Sequence, residues 1–166
     1  MVNLKYAVVE RERRYLMSAP PIGPTKRVQI SDWYIRGTRL RLREVHGPNG
    51  VVRKIGQKIR LDGKATEVAC TSLYLDDREW SLLRDLPSDR LTKTRDRWLV
   101  DGQGAVVDTF PSGLILAEYD RLDGPDIGLT APEIVAEVTH DPLFTGVGLA
   151  QASLSAIATA VAGYSA

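Results

Sequence analysis

Charged and apolar side chains alternate along much of this chain, and the alternation predicts β-strands. The clearest example is Arg39-Leu40-Arg41-Leu42-Arg43, in which the arginines have one parity and the leucines the other. Because successive side chains of a strand point to opposite faces, this segment would have one cationic and one apolar face. Turns such as Gly47-Pro48-Asn49-Gly50 separate about seven or eight segments of this kind, which indicates an antiparallel sheet or barrel.

Helices are predicted only as short segments. Asp76-Asp77-Arg78-Glu79 has the form of a capping box that opens a short helix through Leu86, and the Ala-rich C-terminus predicts a second helix. Prolines within residues 20–24 end the first strand, and residues 25–31 are predicted as a short helical segment. The predicted fold class is therefore mainly β (α+β), with short flanking helices and a C-terminal helix.

The charged faces of the predicted strands are sorted by sign. The cationic faces carry Arg39, Arg41 and Arg43; Lys54, Lys58 and Arg60; and Lys93, Arg95 and Arg97. The anionic faces carry Glu10 and Glu12, Glu118 and Asp120, and Glu137. A water-exposed face would more often mix the signs, because like charges repel one another. Two arrangements stay open: apolar faces inward, as in an ordinary small barrel, or charged faces inward around a wet tunnel. In the second, helices or a partner chain cover the apolar outer faces.

Composition adds a few restrictions. The 166 residues predict a single domain, 1–166, and 22 basic against 21 acidic residues leave no charge excess for a general binder of nucleic acid or membrane. We find no secretory signal, and the polar residues within 147–166 make that stretch a poor membrane span. A single cysteine, Cys70, excludes an intrachain disulfide, so we expect a cytoplasmic protein.

An ordered set of short motifs resembles the CYTH superfamily, the triphosphate tunnel metalloenzymes. The first motif contains Glu10, Glu12 and Arg14, where the family has Glu-x-Glu-x-Lys. The later motifs contain Arg39 and Arg41, Lys93 and Arg95, Asp108, Glu118 and Asp120, and finally Glu137-Val138-Thr139. Each motif alone is weak, whereas the ordered set across residues 5–150 is specific.

The resemblance implies an eight-stranded antiparallel β-barrel that forms a tunnel, and hydrolysis of a triphosphate with Mg²⁺ or Mn²⁺. It implies that Glu10, Glu12 and Arg14 are catalytic, that Arg39, Arg41, Lys58, Arg60, Lys93 and Arg95 bind phosphate, and that Glu10, Glu12, Glu118, Asp120 and Glu137 hold the metal. These residue types suit the chemistry, since guanidinium groups bind phosphate oxygens multidentately and hard divalent ions prefer carboxylates. The expected partner is a small-molecule triphosphate or polyphosphate, without nucleic acid or membrane, and a homodimer stays open.

The sequence departs from the family pattern at several positions. Arg14 replaces the family's Lys, Lys58-Ile59-Arg60 stands for its Thr-x-Lys strand, and only Glu67 remains of an Arg-x-Glu-x-Glu strand. The predicted function is hydrolysis of inorganic triphosphate or a small organic triphosphate. Two alternatives are kept: a CYTH-type adenylate cyclase, and a non-catalytic module that binds polyphosphate or nucleotide.

Overall fold

The computed structural model describes residues 5–20, 22–24, 26–61, 66–100, 103–120 and 128–165; the side chains of residues 100, 103 and 120 lie outside this description. The strands are β1 (Val8–Met17), β2 (Lys26–Ile35), β3 (Leu40–Gly47), β4 (Gly50–Arg60), β5 (Glu67–Tyr74), β6 (Ser88–Val100), β7 (Gln103–Thr109), β8 (Ile115–Asp120) and β9 (Ile134–Glu137). The helices are α1 (Asp77–Leu83), α2 (Gly146–Gln151) and α3 (Leu154–Tyr164), with a 3₁₀ helix at Pro142–Phe144. The predicted mainly β class is confirmed.

Eight of these strands close an antiparallel barrel. Around the barrel the strands follow the order β1, β5, β4, β3, β2, β6, β7 and β8, and β8 returns to β1. The closing contact joins residues 8–11 of β1 to residues 67–70 of β5, while β8 pairs with residues 12–16 along the other edge of β1. β9 pairs with β1 from Tyr15 onwards and lies outside the ring of eight. The eight-stranded barrel that the resemblance implies is therefore confirmed.

The charged faces of the strands point into the barrel. The Lys58 ammonium on β4 reaches Glu10 and Glu12 on β1, although β5 lies between these two strands. The Arg95 guanidinium on β6 likewise reaches Glu118 on β8, past β7. Side chains of strands that are not neighbours meet here only across the interior. Of the two arrangements that the sequence leaves open, the structure has the charged faces inside.

Other parts of the same chain cover the apolar outer faces. α1 packs Trp80 against Leu42 and Ile35, and the rings of Trp33 and Trp80 meet edge to face with centroids 5.1 Å apart. A second outer cluster is formed by Tyr15, Met17, Ala105, Val107, Ala117, Tyr119 and Leu129. Burial of these outer faces supplies the hydrophobic stabilisation that a charged interior cannot provide.

An apolar cluster fills one end of the barrel. Leu16 follows Glu12 and Arg14 on the inward face of β1, and Leu116 precedes Glu118 on the inward face of β8. The segment from the 3₁₀ helix to α3 adds Phe144, Leu149 and Ile157 to this cluster. Its buried members, which we call the plug, are Leu16, Phe110, Leu114, Leu116, Val138, Phe144, Leu149 and Ile157. The charged part of the tunnel therefore ends at the plug.

The prediction for residues 25–31 is wrong at secondary-structure level, because residues 26–35 form β2 rather than a helical segment. This strand pairs with β6 along its whole length and with β3 on its other edge. Pairing on both edges satisfies its backbone hydrogen bonds and overrides the weak local pattern.

The three helices are short and capped. α1 begins at the predicted capping box: Asp76 accepts a hydrogen bond from the Glu79 backbone N–H at 2.8 Å, and Glu79 accepts one from the Asp76 N–H at 3.0 Å. Thr145 and Ser153 cap α2 and α3 with their hydroxyl groups. No helix among the described residues is both long and apolar enough to cross a membrane.

Candidate functional site

Two carboxylates of β1 share one ammonium group inside the tunnel. Lys58 Nζ donates to Glu10 Oε2 at 2.8 Å and to Glu12 Oε1 at 2.5 Å. The Cys70 thiol also donates to Glu10 Oε2, at 2.9 Å. Alternation along β1 places Glu10 and Glu12 on one face, and the register of β4 with β5 sets Lys58 beside Cys70.

The protonation of these carboxylates is set by opposing effects. Burial raises the pKa of Glu10, but the Lys58 charge and the hydrogen bonds from Cys70 and Lys58 outweigh it, so the pKa falls to about 2. Burial and the nearby charge of Glu118 raise the pKa of Glu12. Lys58 remains an ammonium, because Glu12, Glu118 and Glu10 overcome its burial and raise its pKa. The thiol of Cys70 is held protonated, since burial raises its pKa to about 12.

A buried carboxylate on β2 organises the cationic wall of β3. Both oxygens of Asp32 accept hydrogen bonds from Arg43, from Nε at 2.6 Å and from Nη2 at 2.7 Å. The Nε of Arg41 lies 3.6 Å from the same carboxylate. Burial opposes ionisation of Asp32, but the Arg43 hydrogen bonds and charge outweigh it and lower the pKa. Asp32 therefore fixes one of the two inward arginines of β3 and leaves the other less tightly held.

A second group of ion-paired side chains lies on β6, β7 and β8. Arg95 donates to both oxygens of Asp108, each at 2.6 Å, and to Glu118 at 2.6 Å. Lys93 also donates to Asp108. The charges of Arg95, Lys93 and Lys58 outweigh burial and hold the pKa of Glu118 well below its usual value. These cations are therefore oriented by protein carboxylates before any ligand is present.

Most of the predicted site residues meet in this tunnel. The structure brings together Glu10, Glu12, Arg41, Lys58, Lys93, Arg95 and Glu118. Arg14 is buried beside Glu118 and the plug, where it donates from Nη1 to the Phe144 carbonyl oxygen at 3.4 Å. The side chain of Asp120 lies outside the described residues, although its backbone pairs with Glu12.

Three predicted residues lie elsewhere. Arg39 is exposed in the turn before β3, and Arg60 is exposed at the end of β4. Glu137 pairs in register with Tyr15 on the outer face of β1 and accepts from Arg13 Nε at 2.9 Å. Glu137 was grouped with the tunnel carboxylates because parity within a strand does not say which face is inside. Glu137 therefore faces away from Glu10, Glu12 and Glu118, and its role as a metal ligand stays a prediction.

Sequence reasoning missed two inward residues of β2 and undervalued one of β4. Asp32 and Tyr34 follow residues 25–31, the segment that is predicted as helical, and no strand is predicted there, so the sequence does not indicate their inward face. Lys54 shares its parity with Lys58, which is the signal that marks it as inward, and it pairs in register with Arg43.

Glu10, Glu12 and Glu118 have the chemistry to hold a hard divalent cation. Each directs carboxylate oxygens into the tunnel, and burial together with the nearby charge of Glu118 raises the pKa of Glu12. Lys58 supplies the positive charge between Glu10 and Glu12. As the described side chains stand, no three Asp, Glu, His or Cys residues are close enough to surround one ion.

Comparison with solved structures supports the fold. Two structures of the protein NE1496 superpose with a TM-score of 0.60. One is described as a hypothetical protein, at 24% identity over 86% of this chain and 98% of that chain. The other is described as an inorganic triphosphatase, at 23% identity over 92% of this chain and 97% of that chain. The PH1819 protein from Pyrococcus horikoshii OT3 superposes with a TM-score of 0.53, at 14% identity over 70% of this chain and 80% of that chain.

The chain has the fold of these proteins. It is a closed antiparallel barrel of eight strands. No protein-family model and no curated protein sequence matches the chain.

Proposed function

We propose that this protein is a CYTH-type enzyme that hydrolyses inorganic triphosphate or a small organic triphosphate with Mg²⁺ or Mn²⁺. The observation that carries the proposal is that carboxylates and a wall of oriented cations face the same interior space. Triphosphate needs many positive groups around its oxygens, and its hydrolysis depends mainly on positioning and charge neutralisation. Similarity to the inorganic triphosphatase NE1496 supports the same reaction class.

The residues divide into two roles. Arg41, Lys93 and Arg95 provide guanidinium and ammonium donors for phosphate oxygens. The carboxylate of Asp108 holds Lys93 and Arg95 in place. Glu10, Glu12 and Glu118 would hold the divalent cation, which supplies charge neutralisation and a more acidic water. Lys58 connects the roles, since a phosphate oxygen could attract it away from Glu10 and Glu12.

The test is release of phosphate from inorganic triphosphate, ATP and thiamine triphosphate, each with Mg²⁺ or Mn²⁺. We expect turnover of at least one substrate, with pyrophosphate or the corresponding diphosphate as the second product. Lack of hydrolysis under every metal condition would contradict the proposal. Cyclic AMP and pyrophosphate from ATP would instead support the cyclase alternative, and tight binding without turnover would support the binding module.

Glu12→Gln separates catalysis from folding. The substitution keeps the size of the side chain but removes the carboxylate, so we expect the rate to fall roughly 100-fold or more. The matched control is Glu67→Gln on β5, because Glu67 pairs with Arg11 on the outer face of the barrel. Equal rates of hydrolysis for wild type and Glu12→Gln would contradict the assignment of Glu12 to the catalytic site.

A further inference from the structure

The wall formed by β3 and β4 carries more positive charge than its carboxylate can balance. Arg43 pairs in register with Lys54, and Arg41 pairs with Gly56 on the same two strands. Asp32 is the buried acid that contacts this wall, and Arg43 occupies both of its oxygens. The buried Nε of Arg41 has no hydrogen-bond partner within the described part of the chain.

Lys54 is the least compensated cation of this wall. Among the residues that the structure describes, its ammonium makes neither a hydrogen bond nor an ion pair. Its half-burial lowers its pKa, and the charges of Arg43, Arg41 and Arg95 act in the same direction against the weaker attraction of Glu10. A charge that costs stability where it stands is expected to gain from a ligand of opposite sign.

The position of Lys54 along β4 separates it from the carboxylates. Its Cα is four residue steps, about 13 Å along a strand, from that of Lys58, which contacts Glu10 and Glu12. A phosphate bound by Lys54 would therefore lie far from a phosphate of the same ligand that is bound near Glu10 and Glu12.

We propose that Lys54 and Arg41 form a subsite for the distal phosphate of a linear polyphosphate. The subsite selects for chain length. A ligand that extends from the region of Glu10 and Glu12 to Lys54 gains a charge-assisted contact that a shorter phosphate lacks. This inference rests on the proposed function for the class of ligand, but it concerns binding and not turnover.

The experiment measures binding of inorganic triphosphate, pyrophosphate and orthophosphate by calorimetry in EDTA, so that no hydrolysis intervenes. Lys54→Met removes the charge while keeping an unbranched side chain of similar length. We expect roughly tenfold weaker binding of triphosphate, a smaller loss for pyrophosphate and none for orthophosphate. Lys54→Arg should restore most of the triphosphate affinity.

A second readout distinguishes a ligand subsite from a structural role. Without ligand, Lys54→Met should melt at a higher temperature than wild type, because the repulsion from Arg41 and Arg43 is relieved. Arg78→Met on the exposed surface of α1 removes the same charge and should leave both affinities and melting temperature unchanged. Unchanged triphosphate affinity in Lys54→Met, or an equal loss for all three ligands, would overturn the subsite.

Failure of this inference and failure of the proposed function look different. If wild type hydrolyses triphosphate and Lys54→Met binds it normally, the subsite is wrong and the hydrolase stands. If no substrate turns over but Lys54→Met loses triphosphate affinity selectively, the subsite stands without the hydrolase. If wild type binds none of the three phosphates, both are wrong.

Discussion

Lys58 lies with the acidic residues although its strand was predicted to bind phosphate. The positions of β5 that pair with Lys58 and Arg60 are Cys70 and Val68, so this neighbouring strand offers no inward acid there. Glu67, the acid that the sequence retains in β5, pairs with Arg11 on the outer face. The nearest inward carboxylates are then those of β1, and Lys58 bridges them.

Replacing Lys58 should make the fold depend more on a divalent cation. In Lys58→Met without metal, Glu10 and Glu12 lose their shared ammonium donor, and we expect a loss of about 2 kcal/mol in the free energy of unfolding. A cation bound to the carboxylates would replace that charge. Thermal unfolding in EDTA and in Mn²⁺ should therefore show a larger metal-dependent rise for Lys58→Met than for wild type.

Arg60→Met provides the comparison for this prediction. Arg60 is exposed on the same strand, two residues after Lys58, and its replacement should leave the metal-dependent rise at the wild-type value. If Mn²⁺ stabilises wild type and Lys58→Met by the same amount, Lys58 and the cation do not share a site.

Alternation of charged and apolar residues predicted the strands better than it predicted which face of each strand points into the barrel. The parity of β1 and β6 correctly grouped Glu10 with Glu12 and Lys93 with Arg95, because a strand has a period of two whatever its surroundings. The same rule does not fix the face of Glu137, which is set by pairing with the outward Tyr15. Register between strands is a tertiary property that one strand does not encode.

β2 shows why a strand can escape the pattern altogether. Its inward face mixes Ile30, Asp32 and Tyr34, so neither a charged nor an apolar stripe appears in the sequence. Asp32 belongs there because Arg43 on the adjacent strand satisfies it, which only the folded barrel reveals. The sequence therefore gives no indication that Asp32 is the carboxylate that orients Arg43.

The contact between α2 and β2 fixes the plug against the tunnel. A Cβ at Gly146 would lie 1.8 Å from the Tyr34 hydroxyl oxygen and 2.9 Å from its Cζ. The Arg41 guanidinium lies beside the same hydroxyl. Gly146→Ala should therefore overpack this contact and lower the free energy of unfolding by about 1–3 kcal/mol, measured by urea denaturation.

Two further variants test the cause of that loss. Tyr34→Phe combined with Gly146→Ala removes the clashing oxygen and should recover part of the stability, while the 2.9 Å approach to the ring remains. Gly163→Ala in α3 meets nothing within 4 Å and should be neutral or slightly stabilising. A Gly146→Ala protein as stable as wild type would show that α2 is not held against Tyr34.

Apolar clusters outside the charged interior stabilise the barrel as a whole, and ion pairs orient the side chains inside it. The apolar clusters lie under α1, on the outer face of β1, β7 and β8, and in the plug. The interior instead holds acids whose ionised forms are bound by Arg and Lys. Burial of such pairs favours specific geometry more than stability, but removing one partner leaves a costly unpaired charge.

These interior pairs predict a marked loss of stability in acid. The pKa values of Asp32 and Glu118 are lowered and that of Glu10 is about 2, whereas that of Glu12 is raised. A carboxyl with a lowered pKa contributes stability above its unfolded pKa of about 4, and loses it as the pH falls towards the folded value. Glu12 acts oppositely, but the three lowered groups outnumber it. Stability should therefore fall steeply below about pH 4.

Asp32→Asn tests the buried Asp32–Arg43 pair in this balance. At pH 7 the variant leaves Arg43 without a buried counterion, and we expect a loss of about 3 kcal/mol. Because Asn does not ionise, the variant should lose less additional stability than wild type between pH 5 and pH 3, so the two curves converge. Urea denaturation across that range measures both effects, with the exposed Asp85→Asn as a control that should follow wild type. Parallel curves for wild type and Asp32→Asn would show that the Asp32–Arg43 pair does not control acid stability.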